Sequence, residues 1–211
     1  MLPFALPIFP LPTVVLFPNV FLPLHIFEPR YRQMVADSLA GDRIIGMVTL
    51  RPGYDADDGA PPVYATGCSG LITHVEKLDD GRYNLILRGL EKFSINSEEA
   101  VAPGRLYRSA VITPIDERVR ADDRDELRRE RRKLQDLLTP LFTGGLANRL
   151  PEAMPDEDLV NALAQYLEFD PMEKLALLER LGPLARCRSM VELLEMKAMV
   201  RDHADDSGTI H

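Results

Sequence analysis

The sequence predicts an α+β fold, with a β-rich first half and a helical second half. Three observations carry that prediction. Residues up to about Asp116 hold most of the β-branched residues and most of the glycines, in short runs closed by turn residues. After about Arg120 the apolar residues recur at helical spacing among charged ones. The first 35 residues, MLPFALPIFPLPTVVLFPNVFLPLHIFEPRYRQMV, are densely apolar, with prolines at 3, 7, 10, 12, 18, 23 and 29 and no formally charged side chain before Glu28. The expected division is a β-rich domain over 1–116, a helical bundle over 117–203 and a disordered tail over 204–211.

The opening run decides how the chain is read, because it could pass for an export or membrane segment. A secretory signal has a basic leading region and an unbroken apolar core, yet no Lys or Arg precedes Arg30 here. Each proline removes a backbone N–H and disfavours helix in the residue before it. A membrane-spanning helix needs about twenty apolar residues with every backbone hydrogen bond made internally. The run is therefore expected to form short extended pieces of a soluble core. Residues 14–17 and 21–27 are the expected strands, with Pro18-Asn19 as the turn between them.

Pro29 then opens a helix over 29–39, since proline at the first turn forfeits no hydrogen bond. Residues 43–50 (RIIGMVTL) read as a strand and 52–62, with Asp55, Asp57 and Asp58, as a polar loop. Residues 68–77 alternate as a half-buried strand. The Asp79-Asp80-Gly81 turn leads into another strand at 82–87, because glycine accepts a positive φ without steric cost. Residues 93–96 and 107–112 complete the strand set.

The helical half begins with 122–142, whose stripe is Leu127, Leu134, Leu137, Leu138 and Leu141, with a stop near Gly144-Gly145. Residues 156–168 place Leu159, Leu163, Tyr166 and Leu167 on one face. Asp170, Pro171 and Glu173 supply a cap, a first-turn proline and the reaching Glu of a capping box, ahead of Leu175, Leu178 and Leu181. Gly182-Pro183 ends that helix, and Ser189 with Glu192 forms a second capping box before Leu193, Leu194, Lys197 and Val200.

Composition narrows the function classes. The net charge of -8 argues against broad affinity for nucleic acid or anionic membrane. Two distant cysteines, Cys68 and Cys187, without CxxC or Cys/His spacing, read as reduced buried thiols. The expected compartment is the cytoplasm, with no membrane association.

The run LPIFPLPTVVLFPNVFLPLHIFEPRYRQMV resembles the opening of the Lon protease N-terminal domain family, with Phe27, Glu28, Pro29, Arg30 and Tyr31 as its signature residues. Residues 67–93, GCSGLITHVEKLDDGRYNLILRGLEKF, are similar to a second block of that family, with Lys92 where Arg is usual. Residues 169–179, FDPMEKLALLE, resemble its closing helical segment. The resemblance implies a PUA-like β-barrel (pseudobarrel) with one short helix, followed by a small helical bundle. It also implies a stand-alone substrate-recognition domain without ATPase or protease parts. The sequence holds no G-x-x-x-x-G-K-[ST] phosphate loop.

Residues capable of chemistry are present but scattered. His25, His74, His203 and His211 form no local pair at metal-ligand spacing, and no G-x-S-x-G elbow occurs. Ser69 reads as a strand residue, and the three loop aspartates as a solvated acidic stretch. The basic run 124–133 (RDELRRERRK) interleaves with acids, with Asp125 and Glu126 in reach of Arg129, and lacks aromatics to stack on bases.

The expected function is non-catalytic binding of polypeptide segments or a partner protein, with an adaptor role in protein quality control. No catalytic, metal or cofactor-binding residue is assigned. Phe27, Glu28, Arg30 and Tyr31 are the candidate partner-contact residues. These four also have local structural roles: Glu28 at a helix start, Tyr31 packing the helix on the sheet, Arg30 pairing with a carboxylate. Two alternatives stand beside this: an RNA-binding PUA-like module, and a small-molecule enzyme between the domains using groups such as Cys68, His74 or Glu76.

Overall fold

The computed structural model describes residues 2–54, 60–139 and 154–207. Asp55, Asp57 and Asp58, Leu141, the Gly144-Gly145 stop and the tail beyond Ser207 lie outside the described residues. The described residues form strands β1 (Ala5–Leu11), β2 (Phe21–Ile26), β3 (Ile44–Leu50), β4 (Val63–Lys77), β5 (Tyr83–Glu98) and β6 (Ser109–Ile115). The helices are α1 (Pro29–Ala40), α2 (Arg124–Leu138), α3 (Asp156–Tyr166), α4 (Pro171–Glu179) and α5 (Gly182–Ser207). The chain packs as two compact units. One holds the residues up to Asp116 together with Asn161–Glu179; the other holds Glu117–Val160 and the residues from Arg180 on.

In the first unit the sheet order is β2-β5-β4-β3-β1-β6, with a further pairing of β5 to β6. The ladders β5-β4-β3-β1-β6 therefore lead back to β5. Two strands expected separately at 82–87 and 93–96 are one continuous β5. Its Tyr83–Arg88 half pairs with β2 and its Lys92–Glu98 half with β6, while β4 runs antiparallel alongside it. Leu6, Ile8, Val48, Phe93, Ala110 and Ile112 form a core cluster beneath these ladders.

The opening run differs from expectation in one respect. Residues 14–17 form no strand; the strand lies earlier, at β1, despite Pro7 and Pro10. Register explains the tolerance. Residues 5–7 of β1 pair with β6 and residues 8–11 with β3, so by register each proline sits where only one neighbour is paired. Val15, Leu16 and Phe17 are apolar because they are buried, with Phe17 at 0% exposure. They lead into a turn in which Asn19 has φ 59°.

That turn docks onto β5 at Gly89, between the β2-paired and β6-paired halves. Asn19 N–H donates to the Gly89 carbonyl and Gly89 N–H to the Val20 carbonyl, both at 2.9 Å. A Cβ on Gly89 would collide with the Phe17 carbonyl oxygen. The turn is also held from α3: Phe17 N–H donates to Gln165 Oε1 (3.2 Å), and Asn161 Nδ2 donates to the Pro18 carbonyl (3.1 Å). Asn161 and Gln165 are buried polar side chains whose burial is matched by these bonds.

Lys92 is also buried, and its Nζ donates to the Leu178 carbonyl (2.9 Å) in the last turn of α4, where a cation opposes the negative end of the helix dipole. At the other end of α4, Asp170 N–H donates to Glu173 Oε2 (2.9 Å), the reaching half of the expected capping box. Leu175 and Leu178 are buried as expected, whereas Leu181 lies beyond the helix and is exposed. Tyr166, grouped on one face with Leu159, Leu163 and Leu167, is exposed; its hydroxyl donates to the Phe21 carbonyl at 2.7 Å.

In the second unit, Leu127, Leu134 and Leu138 of α2 are buried as the stripe requires. The Ser189/Glu192 box is not a helix start. Ser189 lies inside α5, which begins at Gly182, and Val200 is exposed rather than packed. Pro183 fits the first turn of this helix, and no breaker follows it. Arg186 is fully buried and is paired at 2.6 Å with Glu117 Oε1, which also accepts from Gly182 N–H (3.3 Å). Cys187 is buried beside it. Burial, and secondarily the nearby Glu130 and Asp156 carboxylates, push its thiol up to about 12.

Two outcomes follow. Gly89→Ala should lower stability by roughly 2 kcal/mol or more, read as a reduced urea midpoint, because the methyl displaces the 17–20 turn. Iodoacetamide at pH 8 should leave Cys187 unmodified in the folded protein and alkylate it after unfolding, as peptide mapping would show. The same raised thiol favours folding fully below pH 9; as pH rises toward about 12 the unfolded thiol ionises first and that contribution is lost.

Candidate functional site

β2 is the one strand with a single paired neighbour among the described residues. Its residues alternate in exposure, so Phe21, Pro23 and His25 face solvent while Leu22, Leu24 and Ile26 turn inward. Phe27 continues the outward row, stacked on His25 with ring centroids 6.3 Å apart. Phe21 and Phe27 are 51% and 61% exposed, high values for large aromatics. The edge itself is partly blunted. Pro23 has no N–H to offer, and the Tyr166 hydroxyl takes up the Phe21 carbonyl.

Register extends this face across two more strands. His25 lies opposite Asn84, which lies opposite Glu76; Pro23 lies opposite Ile86, which lies opposite His74. Pro23, Leu24, His25, His74, Asn84, Leu85 and Ile86 line an open cleft of about 440 Å³. Its floor is apolar and its rim is a hydrogen-bonded row. An arginine can only donate, so the 3.3 Å contact of Arg82 Nη1 makes His25 Nε2 the acceptor. Nδ1–H then donates to Asn84 Oδ1 (2.7 Å), and Asn84 Nδ2 donates to Glu76 Oε2 (2.9 Å). Arg82 is anchored in turn by Asp80 (2.6 Å). The Asp80 carboxyl is held below the usual range, first by its bond from the Arg82 N–H and then by the Arg82 side chain.

The candidate residues at the start of α1 divide. Glu28 precedes the helix with extended backbone and makes no side-chain cap; its Oε2 instead accepts from Arg30 Nε (2.9 Å) and Nη2 (2.5 Å). The Arg30 guanidinium lies 4.7 Å above the Tyr31 ring. Tyr31 is buried, packed on Phe9 with ring centroids 4.3 Å apart, and its hydroxyl donates to the Pro10 carbonyl (3.4 Å). The structure thus exposes Phe27, leaves Glu28 and Arg30 as a half-buried pair beside it, and turns Tyr31 into the core.

The groups considered for chemistry are not brought together. Cys68 is fully buried, whereas His74 and Glu76 face solvent. Ser69 Oγ donates to the Glu91 carbonyl (2.9 Å) and accepts from Glu91 N–H (3.2 Å), a strand-to-strand role. No cluster of three or more His, Cys, Asp or Glu able to hold a metal occurs among the described residues. None of the described helices is long and apolar enough to cross a membrane. Along α2, Arg128 pairs with Asp125 (3.4 Å), Lys133 with Glu130 (2.9 Å) and Arg131 with Asp156. Glu126, expected to reach Arg129, pairs instead with Arg188 of α5.

Phe21, Pro23, Ile86 and Asn84 were not singled out from sequence, nor was the joining of His25 and Glu76 into one hydrogen-bonded row. The signal existed in the period-two row Phe21, Pro23, His25, Phe27, but which side of β2 faces solvent depends on its partner.

A model of the ATP-dependent protease La (LON) substrate-binding domain family matches residues 5–196. Lon protease 2 of Myxococcus xanthus is 27% identical over 203 residues, covering 93% of this chain and 24% of that protein. The chain thus spans about a quarter of the length of such curated relatives. Among solved structures, a Lon N-terminal domain protein from Xanthomonas campestris superposes with TM-score 0.62 at 22% identity, covering 89% of this chain and 97% of that one. The N-terminal domain of the Mycobacterium avium complex Lon protease gives TM-score 0.65 at 16% identity, covering 90% and 98%. At such identities these two likenesses speak for the fold.

Proposed function

The chain belongs to the ATP-dependent protease La (LON) substrate-binding domain family, and on that premise we propose that it binds polypeptide segments carrying exposed apolar residues, using the outer face of β2, β5 and β4. The supporting observation is the exposed row Phe21, Pro23, His25 and Phe27 on the strand with one paired neighbour, beside an apolar-floored cleft. An extended peptide laid along that row meets shallow apolar surface at alternate residues, the spacing at which its own side chains project. The polar row of His25, Asn84 and Glu76 offers hydrogen bonds to its backbone. Phe27, with the Glu28–Arg30 pair beside it, forms the α1 end of this surface.

The family describes a substrate-binding part rather than an ATPase or peptidase, and the role proposed for this chain is accordingly recognition, as an adaptor that presents polypeptide in protein quality control. The surface is shallow, so single-segment affinity is expected in the micromolar range or weaker, rising with several apolar segments on one client.

Fluorescence anisotropy with labelled apolar peptides tests this. Phe21→Ser and Phe27→Ser should each weaken binding by about tenfold, and Val101→Ser, an exposed apolar residue away from the row, should leave it unchanged. Undiminished binding by the double Phe variant would overturn the assignment to this face.

A further inference from the structure

A second cleft in the same unit has a different chemistry. It measures about 370 Å³ and is lined by Pro29, Arg32, Gln33, Lys77, Gly81 and Tyr83. Arg32 projects from α1 onto the β4–β5 hairpin turn, so close that a Cβ on Gly81 would clash with its Nη2. Gly81 is favoured there by its φ of +80°, whereas the flexible end of Arg32 could shift to admit a Cβ. Lys77 reaches the same cleft from β4, its Nζ 5.9 Å from the centroid of the Tyr83 ring.

Neither cation is tied by a short contact in place, although the Arg32 charge helps hold the Asp80 carboxyl below its usual range. Among the described residues the Arg32 guanidinium and the Lys77 ammonium make no hydrogen bond or ion pair. Other arginines of this unit are engaged: Arg30 by Glu28, Arg82 by Asp80, Arg108 by Glu98, Arg88 by Asn19. Of the two hairpin carboxylates, Asp80 is held by Arg82 through two bonds and Asp79 is exposed, with no ion pair to Arg32 or Lys77. Gln33 is committed elsewhere, its Nε2 donating to the Gly104 carbonyl (2.8 Å) and its Oε1 accepting from Leu106 N–H (2.7 Å). Gln33 is therefore a fixed wall of the cleft. In a chain of net charge -8, two cations in one concavity, neither hydrogen-bonded nor ion-paired among the described residues, make a local exception to the overall field.

We propose that this cleft is an oxyanion subsite that takes the carboxylate of an acidic side chain in the bound polypeptide. The planar Arg32 fork matches two carboxylate oxygens, and Lys77 adds a point charge. Pro29 connects the cleft to Phe27, two residues back, so a peptide leaving the aromatic row at its α1 end arrives here. The subsite would thus select apolar segments that carry an acidic residue. It rests on the polypeptide-binding reading only for the source of the carboxylate.

The test uses the full chain, a labelled apolar peptide containing one Glu, and its Glu→Gln counterpart, with inorganic phosphate as a free-anion probe. The Glu peptide should bind about tenfold more tightly at low salt, with the gap closing as ionic strength rises and as phosphate is added. Arg32→Gln and Lys77→Gln should each narrow the gap without weakening the Gln peptide. Equal affinities of the two peptides for the unaltered chain, both binding measurably, would overturn the carboxylate assignment. If neither peptide binds, the polypeptide reading fails and the carboxylate source with it. In that case saturable phosphate-induced shifts of the Arg32 Nε–H and Gly81 N–H resonances, lost in Arg32→Gln, would support an oxyanion subsite. Their absence would overturn that as well.

Discussion

The first unit depends on one close approach of two backbones, at Gly89. β5 pairs with β2 up to Arg88 and with β6 from Lys92, so an interval of its edge between them is left open. The 17–20 turn fills it by exchanging two backbone hydrogen bonds with Gly89, at a distance that admits no Cβ. Burying that turn strands its own polar groups unless something else meets them. Asn161 and Gln165 do so from α3, and this gives residues 161–179 a physical reason to pack with the strands.

Lys92 works in the same direction. A buried ammonium is tolerable only where polar groups receive it, and the Leu178 carbonyl at the end of α4 is one such group. The helix is thereby fixed at both ends, by Glu173 at its start and by Lys92 at its finish. The second of the two strand halves thus carries a structural cation, while the first, facing β2, is left with its outer side open to solvent. The proposed recognition face and the structural support lie along different lengths of a single strand.

Much of this was legible in the chain. The change from strands to helices near residue 120, α1 with Pro29 in its first turn, the Gly81 hairpin and the capping of α4 each follow from local rules, because the physical cause lies within a few residues of its effect. Residues 14–17 misled for a general reason: β-branched and aromatic residues signal burial as strongly as they signal strand. Ser189 and Glu192 misled because a capping box is recognised by spacing, and the same spacing falls inside α5 once Pro183 has started the helix earlier. Tyr166 was grouped with Leu159 and Leu163 by helical period, yet its hydroxyl is drawn to a strand carbonyl that no helical wheel contains.

The sequence by itself determined the family resemblance, the alternation of β2 and the type of almost every element, since these rest on residue identity and short-range spacing. The tertiary structure alone decided which side of β2 faces solvent, because that depends on its pairing with β5, some sixty residues away. It likewise decided that Tyr31 is interior while Phe27 is not, and that Arg32 and Lys77, from a helix and a strand, share one cleft without a carboxylate partner among the described residues. Charges and edges acquire meaning only from what the fold sets beside them, and that is fixed by long-range pairing rather than by local sequence.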